Sequence, residues 1–250
     1  MNKLVIVSGS SRGLGSAIAQ SFVKNGYQVA INYFKSEDKA KDLVAKLGDA
    51  AKAFHADISD REQVKSMLVA IEQEFGTLPS ILVNNAMTDY SFNGDDRKTA
   101  ETITWEELSN HLDVTLKGSL NLIQSLVPSM KKNQYGRVIN VGTNLVQNPV
   151  VPYHDYTIAK AALLGLTRTF AKDLGPMGIT VNMISGGLLK VTDASAATPA
   201  VVFDAIAQMT PLQKITTVED FADATLFFAS ENSRSITGQN LIVDGGLTFN

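Results

Sequence analysis

Tyr156 and Lys160 stand four residues apart in the run Tyr156-Thr-Ile-Ala-Lys160. On a helix that spacing brings both side chains to one face. A free phenol has a pKa of about 10. A nearby ammonium favours the phenolate and lowers that value, which makes Tyr156 a usable general acid at neutral pH. Such a pair is ordinary on a surface helix, and it gains meaning from a second feature. The string Gly9-Ser-Ser11-Arg12-Gly13-Leu14-Gly15 follows the apolar run Leu4 to Val7 and opens a segment with Leu14, Ile18 and Phe22 at helical spacing. Between a strand and a helix, glycines let the backbone approach a pyrophosphate. The helix N-terminus adds free N–H groups and a positive dipole end. The expectation is nucleotide binding, with a plain tight turn as the bland alternative.

Charge argues for the kind of nucleotide. A site for NAD places an acidic residue roughly 20 positions after the glycines, on the ribose 2′-OH. Here that tip reads Asn32-Tyr33-Phe34-Lys35-Ser36, with no carboxylate. Arg12 and Lys35 are both cationic, and a guanidinium suits a phosphate especially well. The expected cofactor is NADP(H), held by the glycine loop with Tyr33 and Lys35 beyond it.

Composition narrows the remaining classes. The chain has 250 residues, 44% of them hydrophobic and 19% charged, which excludes a disordered chain. A net charge of -3 gives no reason to expect nucleic-acid binding. The absence of cysteine excludes disulfides and thiolate chemistry, and His55, His111 and His154 lack metal-ligand spacing. No run is apolar enough for a signal peptide or a membrane span, so a cytoplasmic protein without a membrane role is expected.

These residues need elements to position them. Short apolar runs alternate with helical periods. Strands are expected at Leu4–Val7, Val29–Tyr33, Ala51–His55, Ile81–Val83, Arg137–Val141, Ile179–Ile184 and Leu241–Val243. Helices are expected between them: behind Gly13, over Ser36–Leu47, after a Ser59/Glu62 capping box, from a Thr104/Glu107 box to about Met130, over Tyr156–Leu174, and from a Thr216/Glu219 box to about Ala229. Buried strands with helices between them predict α/β architecture. The expected form is one doubly wound Rossmann-type domain over residues 1–250, about seven parallel strands with helices on both faces. The irregular stretches Met87 to Thr102 and Leu188 to Pro199 follow strands, where such sheets bind ligands.

The glycine spacing, G-x-x-x-G-x-G, resembles that of the short-chain dehydrogenase/reductase family, and the resemblance spans essentially the whole chain. Asn84-Asn85-Ala86 is similar to its Asn-Asn-Ala-Gly motif, Tyr156 and Lys160 to its Tyr-x-x-x-Lys signature, and Asp244-Gly245-Gly246 to its closing motif. Within the family the chain looks most like 3-oxoacyl-[acyl-carrier-protein] reductases. The resemblance implies that Lys160 also holds the nicotinamide ribose and that Thr143, 13 residues before Tyr156, takes the place of the catalytic serine. It further implies cofactor contacts at Asn85, Ala86, Ile58, Gly187 and Thr192. Asp57 resembles a residue beside the adenine, and equally suits a carboxylate at a helix start.

Four positions depart from the family pattern. Thr143 keeps a hydroxyl but stiffens χ1. Thr115, 41 residues before Tyr156, stands where an asparagine usually supports a proton relay through water. Met87 replaces a glycine and adds bulk near the nicotinamide. Gly186 replaces a proline and is expected to loosen the loop that follows.

On the substrate side, Val146 to Tyr153 should form an apolar wall containing Val150, Val151 and Pro152. Leu188 to Ala197 resembles a substrate lid, in which Val191 occupies the usual threonine position and Thr192 lies beside it. His154, Asp155 and Tyr156 are adjacent on a helix and so do not form a relay. Trp105 is expected to pack the helix start. Together these readings give an NADP(H)-dependent reductase of a carbonyl, a 3-oxoacyl thioester or another small ketone, sugar or polyol. The resemblance implies a homotetramer paired through the long helices. A low-turnover nucleotide sensor is the reading of another class, motivated by Thr115.

Overall fold

Alternation along β1 (Leu4–Val7) sets the two-faced core. Leu4 and Ile6 point to one side and meet Val64, Leu68, Leu122 and Leu126. Val5 and Val7 point to the other and meet Ile18, Phe22, Leu43 and Phe221. Every residue of β1 is buried, as a strand covered on both faces must be. The computed structural model describes residues 3–92, 97–190 and 192–249.

The other strands are β2 (Gln28–Tyr33), β3 (Ala51–His55), β4 (Ile81–Asn84), β5 (Gly136–Thr143), β6 (Ile179–Gly186) and β7 (Asn240–Val243). They form one seven-stranded sheet in the order β3-β2-β1-β4-β5-β6-β7, parallel throughout. β1 pairs with β2 on one side, Val5 opposite Val29, and with β4 on the other, Val5 opposite Ile81. The chain therefore winds outward in both directions from the β1/β4 pair, and a crevice opens at the C-terminal ends of these strands.

The helices are α1 (Gly13–Lys24), α2 (Glu37–Leu47), α3 (Arg61–Phe75), α4 (Trp105–Leu112), α5 (Ser119–Asn133), α6 (His154–Leu174), α7 (Ala200–Met209) and α8 (Val218–Ala229). α1, α2 and α8 pack on one face of the sheet; α3, α5 and the end of α6 pack on the other.

The elements depart from the sequence expectation in four places. The Thr104/Glu107 capping box forms, but the long helix behind it is divided by a wide π turn at Asp113–Gly118. α3 is capped by Asp60, whose carboxylate accepts from the N–H groups of Glu62 and Gln63, because the Ser59 hydroxyl donates to Asp57 instead. α8 is capped reciprocally by Thr217 and Asp220, one residue later than expected, while Thr216 is buried. α7 follows the lid directly, where the sequence reading placed no helix.

Candidate active site

The turn from β1 into α1 is built for close approach. Gly9 has φ +61°, and a Cβ there would lie 2.9 Å from the Ala86 Cα. A Cβ on Gly15 would lie 2.6 Å from both Asn85 Nδ2 and the Gly9 carbonyl. Asn85 fixes this turn: its side-chain amide donates to the carbonyls of Ser8 and Gly9 at 2.9 and 3.0 Å. Asn85 and Ala86 thus shape the glycine loop from beneath. The N-terminus of α1 has no side-chain cap and no acidic residue in its first turn. Its dipole and first N–H groups are open to an anion, so this cradle fits a dinucleotide pyrophosphate.

The cations gather differently from the sequence expectation. Arg12 donates to Asp193 at 2.8 Å and to Asp89 at 3.3 Å. The second cation at this point is Lys39, 2.9 Å from the same Asp193 carboxylate. Lys35 instead lies over the Phe34 ring, 5.9 Å from its centroid. Tyr33 packs edge-on against His55. Asp57 accepts from the Ser59 N–H and hydroxyl, just ahead of the Asp60 cap of α3. Ile58 is buried against Gly118.

Thr143, Tyr156 and Lys160 come together from two elements. Thr143 ends β5, and Tyr156 and Lys160 lie one turn apart on α6, so one short region holds all three. Tyr156 hydrogen-bonds Thr143, and burial pushes its phenol up to about 12 against the lowering effect of that bond. The expected depression by Lys160 does not govern here: the Lys160 Nζ lies 5.7 Å from the Tyr156 ring centroid and donates to the Val141 carbonyl at 2.6 Å. Burial alone lowers Lys160 to about 8. Desolvation outweighs pairing because both groups are sealed from water, Tyr156 at 7% and Lys160 at 2% exposure. Thr115 is buried inside the π turn, where its carbonyl accepts from the Ser119 hydroxyl at 2.6 Å.

The lid leans over the cofactor side. The Thr192 side chain is near Gly13, and Thr192 and Ser195 close a turn on each other. The lid is sewn to the segment after β4: Phe92 N–H donates to the Ala194 carbonyl at 2.8 Å, and the Thr198 hydroxyl to the Phe92 carbonyl at 3.2 Å. Val191 lies outside the described residues. Gly187 sits where a Cβ would press on Asp244 and Asn144, two residues bonded to each other at 3.0 Å. Gly186, where a looser following loop was expected, is itself held within the sheet. It is the last paired residue of β6, and a Cβ there would crowd Phe221 at 3.1 Å.

The wall beside Tyr156 is more aromatic than expected. Tyr90, Tyr153 and Tyr156 form one cluster, with Met87, Phe92, Leu145 and Val151 against it. Val150 points away, 70% exposed. Trp105, expected to pack the helix start, is 73% exposed there. Residues missed by sequence reasoning are Tyr90, His111, Asp89, Asp193 and Lys39. His111 could have been found: it lies one helical turn before Thr115, so the two share a face.

Among the described residues no cluster of metal-ligating side chains occurs, and no helix is long and apolar enough to cross a membrane. The family model described as enoyl-(acyl carrier protein) reductase matches residues 9–248. The chain is 34% identical to the 3-oxoacyl-[acyl-carrier-protein] reductase FabG of Staphylococcus epidermidis, covering 99% of each chain. It is 29% identical to the D-beta-hydroxybutyrate dehydrogenase of Rhizobium meliloti, covering 99% of both. A crystal structure of 3-ketoacyl-(acyl-carrier-protein) reductase from Brucella melitensis complexed with NADH superposes with a TM-score of 0.89 at 26% identity, over 99% of this chain and 98% of that one. The glycine turn, the Thr143–Tyr156–Lys160 group and a family match spanning nearly every residue agree: this chain belongs to the short-chain dehydrogenase/reductase family.

Proposed function

We propose that this protein reduces a small carbonyl compound with hydride from a nicotinamide cofactor, NADPH in preference to NADH, and that Tyr156 supplies the proton. The carrying observation is the Thr143–Tyr156 hydrogen bond, which sets two buried hydroxyls side by side. A carbonyl oxygen seated there accepts from both hydroxyls, which orients and polarises it. When bound, the nicotinamide supplies the hydride. Tyr156 gives its phenolic proton to the oxygen as negative charge develops there. A phenol raised to about 12 still exceeds an alcohol in acidity, so the transfer runs downhill. Lys160, with a pKa near 8, is largely protonated at pH 7 and stabilises the phenolate left behind. The oxidation direction uses the same groups in reverse.

The preference for NADPH rests on Arg12 and Lys39, which converge on one carboxylate oxygen of Asp193 and so mark where this site holds an anion. The 2′-phosphate takes that place in this reading. The Brucella relative's NADH shows that a nicotinamide dinucleotide suits the fold, and the charge argument selects between the two forms. The relatives' names favour a 3-oxoacyl thioester. The aromatic wall of Tyr90 and Phe92 favours a more compact ketone. A homotetramer is also part of this reading, because Trp105 and Ile158 leave apolar surface exposed on α4 and α6; light scattering tests it. The test of function is the loss of reduced nicotinamide absorbance with NADPH or NADH and a panel of 3-oxoacyl thioesters and small ketones. Cofactor binding without reduction of any member would favour the sensor reading instead.

A further inference from the structure

Asp155 has a role that proton transfer to a carbonyl does not require. Its Oδ1 accepts from the Tyr156 backbone N–H at 2.9 Å and from the Tyr90 hydroxyl at 3.2 Å. Its Oδ2 lies 3.4 Å from His111 Nε2. Thr88 Oγ1 is 2.9 Å from that same ring nitrogen. Three segments thus meet around one carboxylate beside Tyr156: α6, α4 and the connection after β4, which brings Tyr90 to Asp155 and Thr88 to His111. His111 is buried, and burial lowers its proton affinity; its ring is hydrogen-bonded to the Thr88 hydroxyl and lies against the Asp155 carboxylate.

The result is a fixed Tyr90 ring. It stacks on the Tyr156 ring, centroids 5.4 Å apart and planes 22° from parallel. His111 meets it edge-on at 4.9 Å, Phe92 at 5.4 Å and Tyr153 at 5.8 Å. The Arg97 guanidinium covers it 3.9 Å from the ring centroid. A ring held on its faces, edges and hydroxyl cannot turn aside without breaking several contacts at once. It occupies space directly beside the phenol that must reach the substrate.

We propose that Tyr90 limits the size of the substrate beside the reacting carbonyl, and that Asp155 and His111 are the positioning pair that holds it there. The inference rests on the reductase reading of the same site. The substrate class follows from the geometry. The carbonyl carries a small or flat, unbranched substituent towards Tyr90, and any long chain leaves on the opposite side. Branched or bulky ketones are excluded by contact with a ring that does not yield.

The test compares kcat/KM with NADPH for a methyl ketone and its tert-butyl counterpart. Replacing Tyr90→Leu should raise the bulky-to-small ratio about tenfold or more, mainly through KM, the scale at which a few carbons are discriminated in an apolar pocket. Replacing Tyr90→Trp should lower the ratio. Replacing Asp155→Ala should raise it partway, and Asp155→Asn, which keeps an acceptor for the Tyr90 hydroxyl, should restore the parent ratio. The rescue separates positioning from a general packing loss. An unchanged ratio in both Tyr90 variants, with parent-like circular dichroism and NADPH affinity, overturns the proposal. A parent that binds NADPH and reduces no carbonyl overturns the reductase reading, and this inference falls with it. If Tyr90→Leu does not fold, Tyr90→Trp alone decides the direction.

Discussion

Lys160 is the most buried cation of the site, and its environment makes a quantitative prediction. Its pKa falls from an ordinary 10.5 to about 8 through burial. The difference corresponds to about 3 kcal/mol of destabilisation by the charged form at neutral pH, on the scale of 1.36 kcal/mol per unit. The sign follows from proton counting. Above 10.5 the amine is neutral in both the folded and unfolded chain. Between 10.5 and 8 the unfolded chain binds the proton and the folded one does not, so stability falls as pH falls through that window. The bond to the Val141 carbonyl survives deprotonation, since a neutral amine still donates. The perturbation is Lys160→Met, which keeps the apolar stem and removes the titration. The assay is urea unfolding of parent and variant without cofactor, at one protein concentration, in steps from pH 7.5 to 10.5. Parent stability relative to the variant should rise by about 3 kcal/mol across the window. A flat difference would refute the reasoning, because it would mean that Lys160 is solvated in the folded protein or stays charged there.

Three further outcomes are expected. Tyr156→Phe should lower turnover by about 10²–10⁴ with cofactor affinity retained, measured by steady-state kinetics and NADPH titration; near-parental turnover would remove Tyr156 from its role. Replacing Arg12→Ala and Lys39→Ala together should abolish most of the preference for NADPH over NADH. Because both side chains are half exposed, the expected loss lies near the low end of the roughly 1.5–3 kcal/mol of a charge-assisted bond. Dissociation constants for both cofactors check it, with Lys35→Ala as the variant expected to change little. Thr115→Asn should leave turnover and the solvent isotope effect nearly unchanged if the wide π turn, rather than a side-chain amide, organises water beside Lys160; a clear rise in turnover would show that the threonine slows proton delivery.

Much of this protein was legible in its sequence because the decisive patterns are local. The four-residue spacing of Tyr156 and Lys160 needs only a helix to place both on one face. Buried runs such as Leu4 to Val7 need only two covered faces to become strands of a parallel sheet. The glycine string needs only a strand before it and a helix after it, and its close approaches to Ala86 and Asn85 explain why side chains are absent there. Tertiary structure decided what depends on partners distant in sequence. Arg12 meets Asp193 from the lid, with Lys39 rather than Lys35 beside it, because the direction of a flexible side chain is set by what packs against it. Tyr90, His111 and Asp155 lie on three separate segments, and no periodicity relates them. The protonation of the site also waited for the fold. Four-residue spacing promised a phenol lowered by an ammonium, but packing sealed both groups from water, and desolvation moved each towards its neutral form.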